Sequence, residues 1–196
     1  MKYFNKKNFL ILTLFILSIF FVSKYYTSKY ESIDYQVLVS ENDIEIRQYP
    51  ELLLVSTTSN ASTDDKKNVT FKRLFDFIGG ENARKEEIDM TIPVFWTKLL
   101  KEFKMSFVAP KKYSFQTLPK PTNSQVFVEA QPSGKYLVIT FNGSPELQNM
   151  NEQSKILMDY AEKNNIQIRE GRLLAIYDPP WTIPFLRKNE ILYLID

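Results

Sequence analysis

Residues 79–96, GGENARKEEIDMTIPVFW, gather the groups in this chain that look most capable of chemistry. They comprise a glycine pair, a run of carboxylates and an abrupt apolar end. A phosphate-cradling loop would need a Gly-Lys-Ser/Thr step leading into a helix. Here the glycines come after a helical pattern and that step is missing, so Gly79 and Gly80 read as a helix stop. Glu86, Glu87 and Asp89 would suit a hard cation, yet calcium loops alternate their oxygen ligands about a turn glycine. These three read as a solvated connection.

The chain has no histidine and no cysteine. That removes the usual general base near neutral pH, the Ser-His-Asp and Cys-His triads, and the commonest zinc, copper and heme-iron ligand. It also removes disulfides, so the folded part must rest on its core. No lone Glu, Asp, Tyr or Lys is marked as a catalyst, and the expectation is a non-enzyme.

The aromatic residues carry more. Phe71, Phe75 and Phe77 fall in one helical pattern, Phe95 and Trp96 follow the charged loop, and Trp181 and Phe185 lie in DPPWTIPFLRKN. Phe71 and Phe75 serve equally well as core or as pocket wall. A tryptophan in a proline-rich loop is more often a pocket wall or an interface residue than core filling.

Local periodicity places these groups on elements. YQVLV (35–39) and IEIRQY (44–49) alternate around SEND and predict a hairpin that Pro50 ends. LLLVSTTS continues as a third strand. NVTFKRLFDFI predicts a helix with Phe71, Leu74, Phe75 and Ile78 on one face and Lys72, Arg73 and Asp76 on the other. MTIPVFW is extended because of Pro93, and FKMSFVAP alternates with Phe103, Met105 and Phe107 on one side. QVFVEA and YLVITF flank QPSGK as a second hairpin. A second helix over about 145–164 carries Leu147, Met150, Leu157, Tyr160 and Ala161 on one stripe, and QIREGRLLAIY and EILYLI close the chain as strands. Hairpin–helix–strands thus occurs twice. Hairpin connections favour an antiparallel α+β domain over a parallel sheet.

The 196 residues suffice for one domain and an appendage. The appendage is residues 1–30, in which Phe9 to Val22 is an apolar run behind Lys2, Lys6 and Lys7. The run is short for a spanning helix, but there is no Ala-x-Ala-like site, and Tyr25 and Tyr26 extend it as an interfacial belt. An uncleaved membrane anchor is favoured over a cleaved signal segment, with the domain outside the cytoplasm in either case: membrane-anchored, or secreted or periplasmic. All five charges in residues 1–30 are lysines, so residues 31–196 keep 20 basic and 23 acidic residues, a net of −3. Nucleic acid is an unsuitable partner for such a balance.

Taken in order, YQVLVSENDIEIRQYP, RLFDFIGGENARKEEIDMTIPV, MSFVAP, LPKPTNSQVFVE, ITFNGS and AIYDPPWTIPFLRKNEILYLI resemble the successive motifs of the SOUL heme-binding protein family, over about residues 33–196. The resemblance implies a distorted antiparallel β-barrel or sheet with two helices, built of two βαββ-like halves and akin to bacterial effector-binding domains. It implies non-catalytic binding of heme, another tetrapyrrole or a hydrophobic small molecule in a shallow apolar cleft. Carried over by position, that cleft would be walled by Phe71, Phe75, Phe103 and Trp181. Where animal members place basic side chains near the porphyrin carboxylates, this chain has Asn68, Asp76 and Thr182, leaving Lys72, Arg73 and Arg187 as substitutes. Heme iron would have neither His nor Cys, only Tyr or Met. The alternative is an envelope interaction module whose aromatic loop contacts lipid or a partner protein.

Overall fold

The computed structural model describes residues 29–60, 66–98, 102–169 and 171–196, with the isolated positions 8, 9 and 13. The expected anchor or signal segment lies almost wholly outside the described residues. Among those described, no helix is long and apolar enough to cross a membrane.

In chain order the elements are β1 (Glu31–Ser32), β2 (Gln36–Glu41), β3 (Ile44–Tyr49), β4 (Leu52–Asn60), α1 (Lys66–Ile78), β5 (Thr91–Ile92) and β6 (Val94–Lys98). They continue with β7 (Glu102–Val108), β8 (Val126–Gln131), β9 (Gly134–Asn142), α2 (Leu147–Lys163), β10 (Leu173–Ile176) and β11 (Lys188–Ile195). A 3-10 turn, Pro184–Leu186, interrupts the last loop. The fold is α+β, as the sequence patterns predict. Nine strands form one curled antiparallel sheet in the order β2-β3-β9-β11-β10-β6-β7-β4-β8, and β1 pairs in parallel with β5.

That order contains a pseudo-twofold. The segment β4-α1-β6-β7 contributes its strands as β4-β7-β6, and β9-α2-β10-β11 contributes β9-β11-β10. The halves meet where β6 pairs with β10. Each half also lends its leading strand to the other, since β3 pairs with β9 and β8 with β4.

The predicted hairpin of β8 with β9 does not form. Tyr49 pairs with Gly134 and Leu52 with Gln131, so three steps forward on one segment match three steps back on the other. Residues 44–57 and 126–139 are therefore one long antiparallel ribbon in a single register. Pro50 on one segment and Pro132 on the other fall at its break. Neither can donate a ladder hydrogen bond, so the ribbon bends there and feeds both flanks of the sheet. The local sequence around QPSGK looks like a hairpin turn, but both strands find longer partners elsewhere.

Each helix covers its own half. α1 buries Leu74, Phe77 and Ile78 against Val55, Phe103, Met105 and Phe107. α2 buries Leu157 and Ala161 against Leu137, Ile139, Ile191 and Tyr193. The predicted stripes need two corrections. Phe71 and Phe75 do not share the buried face with Leu74 and Ile78; Thr70 and Phe77 do, and the two phenylalanines stand 42% and 55% exposed. Leu147 opens α2 and is exposed, since the buried stripe of the helix begins only at Ser154.

The opposite face of the sheet packs Leu54, Phe95, Val108, Ala175 and Leu192 around Tyr49, with Ile33 of the N-terminal stretch laid over them. A buried ion pair sits beside this cluster. Arg47 reaches Glu190 through Nη1–Oε2 at 3.0 Å and Nη2–Oε1 at 3.2 Å. Glu190 also accepts from Tyr177 Oη at 2.7 Å and Thr140 Oγ1 at 3.3 Å, and lies 2.9 Å from Lys188 Nζ. Burial alone would push the Glu190 carboxyl up, but the Arg47 guanidinium, with Lys188 behind it, holds it below its ordinary value of 4.5. Burial pushes the Tyr177 and Tyr49 phenols up.

A carboxyl held low in the folded state stabilises fully above its unfolded pKa, and that contribution is lost as pH falls through the folded value. The unfolding free energy should therefore hold near neutrality and decline as the pH drops below about 4.5. Arg47→Met should cost about 3–5 kcal/mol in urea denaturation at neutral pH, because it strands a buried charge. The gap to the unsubstituted chain should narrow at acid pH, once Glu190 is protonated in both.

Candidate functional site

Apart from Phe103 on β7, the predicted site residues lie either on α1 or on the loop between β10 and β11. α1 ends because Gly80 takes φ +105. Glu81 N then donates to Asp76 O at 2.9 Å and Gly80 N to Phe77 O at 3.4 Å, closing the last turn. This confirms the helix stop. With the buried stripe fixed on Leu74, Phe77 and Ile78, the helical period leaves Phe71 and Phe75 on a flank, one turn apart. Their rings stack at 5.9 Å and 18°, and Phe71 leans edge-on against the core residue Phe107 at 5.5 Å and 66°. Two stacked aromatic rings left in water forgo the burial that would otherwise stabilise them.

The other predicted residues fall elsewhere. Phe103 is buried and packs edge-on against Trp96 at 5.5 Å, so it supports the sheet beneath α1 rather than facing solvent. Trp181 is 82% exposed at the tip of its loop, with Phe185 exposed nearby. Among the described residues no ring contact joins Trp181 to Phe71 or Phe75. Beneath α1 a void of about 10 Å³ between Val55, Phe77, Ile78 and Phe107 has room for no more than one water. Any flat molecule held by the phenylalanine pair would lie on the outer surface.

The candidate cations are mostly committed. Lys72 is exposed and pairs with Asp76 at 2.6 Å, which raises the Lys72 ammonium pKa. Arg73 donates to Thr58 O at 2.9 Å. Arg187 donates from Nε to Thr182 O at 2.7 Å and from Nη2 to Pro180 O, so its guanidinium ties down the loop that carries Trp181. Lys72 is thus the cation on this face that a ligand carboxylate could recruit at low cost, by displacing a surface pairing. The side chains present fit a flat apolar ring. They offer its iron neither His nor Cys, and no group of acidic residues able to hold a metal ion occurs among the described residues, which leaves Tyr or Met as the side chains that could ligate it.

The charged loop that follows is organised by Asn82, which no sequence pattern above singled out. Asn82 is buried, with Nδ2 donating to Phe77 O at 3.0 Å and Glu86 O at 2.7 Å, while its Oδ1 accepts from Arg84 N and Glu86 N at 3.2 Å each. The available signal was an asparagine two residues after the glycine stop, a place where a side chain often caps the orphaned backbone. Glu86 and Asp89 are taken by Tyr113 at 2.6 Å and Lys112 at 2.8 Å.

A family model described as SOUL heme-binding protein matches residues 30–194. Among solved structures the chain is similar to the C-terminal domain of EcmrR, with a TM-score of 0.62 at 10% identity, covering 83% of this chain and 98% of that one. It is also similar to a hydrolase from Listeria innocua, with a TM-score of 0.59 at 7% identity, covering 81% and 94%. A third is EcmrR in a DNA complex, with a TM-score of 0.60 at 12% identity, covering 97% of this chain and 70% of that one. At these identities the likeness is one of fold. No curated protein matches the chain significantly.

Asn82→Ala should lower the unfolding free energy by about 2–3 kcal/mol in urea denaturation, because it leaves several buried backbone groups without partners. Glu87→Ala, in the exposed part of the same loop, should change it by less than about 0.5 kcal/mol.

Proposed function

The chain belongs to the SOUL heme-binding protein family, and from that premise we propose that it binds a tetrapyrrole or another flat hydrophobic molecule without catalysis. The observation that carries this reading is the solvent-facing stack of Phe71 on Phe75. Its outer face offers a second stacking surface to a planar ring, and a parallel or offset contact of that kind is worth about 0.5–1.5 kcal/mol beyond area. Lys72 stands one residue from Phe71 and supplies a positive charge for a ring carboxylate once it releases Asp76. Affinity then comes from the ring and its substituents, not from the iron. Export of the domain and its tethering through residues 1–30 belong to the same proposal, and rest on the lysine-flanked apolar run.

A second reading draws on a different observation. Trp181 and Phe185 are exposed together on a loop that Arg187 holds in shape, as suits an aromatic tip contacting lipid or a partner protein.

Titration of the full-length chain with heme and with iron-free protoporphyrin separates the two. Both should shift the Soret band with affinities within about threefold of each other, since no iron bond distinguishes them. The heme spectrum should lack a six-coordinate low-spin form. Phe75→Ala should weaken both by roughly three- to tenfold. A folded chain that moves neither Soret band would end the tetrapyrrole reading; a change in Trp181 fluorescence on adding lipid vesicles alone would support the second.

A further inference from the structure

The cleft at the Pro50 corner lies away from the aromatic face of α1. It measures about 570 Å³, within the range of small-molecule sites. Val108 lines it, whereas the preceding residue Phe107 touches Phe71. Consecutive strand residues point to opposite faces, so β7 separates the two surfaces.

The floor of the cleft is apolar, built from Ile33, Leu52, Leu53 and Val108, with the exposed ring of Phe115 on its wall. Its rim carries three carboxylates, Glu31, Asp34 and Glu51, against one lysine, Lys111. That lysine is already neutralised, since Lys111 Nζ lies 2.6 Å from Asp34 Oδ2. Glu31 accepts the Lys111 backbone N–H at 2.8 Å. Glu51 is exposed and holds no ion pair among the described residues.

We infer that this cleft is a second binding site, for an organic cation with an apolar or aromatic body. The floor and Phe115 would take the body, and Glu51 would face the charge. A dianionic ring such as a porphyrin would set its carboxylates against carboxylates here. The charge preference is therefore opposite to that proposed for the α1 face, and the two sites can be tested apart.

Isothermal titration calorimetry of the full-length chain at neutral pH, with naphthylmethylamine, naphthylmethanol and naphthoate, holds the body nearly constant and varies the charge. The amine should bind tightest and naphthoate weakest. Glu51→Gln should weaken the amine by roughly fivefold, the scale of one carboxylate at contact in high dielectric, and leave the alcohol unchanged. Phe115→Ala should weaken amine and alcohol alike, with circular dichroism confirming that each variant folds. Naphthoate binding as tightly as the amine, no binding of any of the three by the folded chain, or a Glu51→Gln chain with unchanged amine affinity would overturn the proposal.

Discussion

A single register, held across a double break, organises this molecule. The ribbon of residues 44–57 against 126–139 keeps one pairing on both sides of the Pro50 and Pro132 corner, as Tyr49 with Gly134 and Leu52 with Gln131 demonstrate. A one-residue slip would turn every side chain of the ribbon to the wrong face. It would take Val55 out of the α1 core and Val138 out of the opposite cluster together. Because the ribbon feeds both flanks, the sheet curls and the two halves exchange their leading strands.

Polar groups on the face away from the helices follow the same symmetry. On one flank Arg47 and Glu190 join β3 to β11, with Thr140 of β9 between them. On the other, Ser56 of β4 lies 2.7 Å from Ser106 of β7 and 2.6 Å from Glu129 of β8, which Lys104 of β7 reaches at 2.8 Å. Each cluster ties together three neighbouring strands, β3-β9-β11 on one flank and β8-β4-β7 on the other. Breaking either cluster would leave a charge without its partner, which is costly where it is buried, as at Glu190. The aromatic pair of α1 stands on the helical side of the same sheet, so the apolar contact surface and the polar framework do not compete for space.

Much of this was legible from local pattern. Helix spans, the Gly79–Gly80 stop, the first hairpin and the alternation of Phe103, Met105 and Phe107 all depend on contacts within a turn or a strand. The motifs of GGENARKEEIDMTIPV and YDPPW were enough to bring the family into view. Less legible was which flank of α1 is buried. Phe71, Leu74, Phe75, Phe77 and Ile78 are all apolar, so their periodicity permits two stripes, and the packing surface of β4 and β7 selects one. Arg47 and Glu190 were invisible as a pair because 143 residues separate them. Arg187 suited a ligand carboxylate or a structural role equally well by sequence position, and the loop carbonyls of Pro180 and Thr182 hold it in the structural one.

The amino-acid sequence alone determined the elements and the exclusions. A chain without histidine or cysteine cannot build the usual triads or ligate iron in the usual way, whatever its fold, because chemistry needs the atoms to be present. Pairing and exposure were decided in three dimensions. β8 leaves the strand beside it in sequence for β4, Phe75 remains in solvent while Phe77 is buried, and the acidic cleft forms from segments near residues 31, 51 and 115. Those outcomes depend on which distant surfaces meet, and a periodicity that repeats every two or four residues carries no record of its partner.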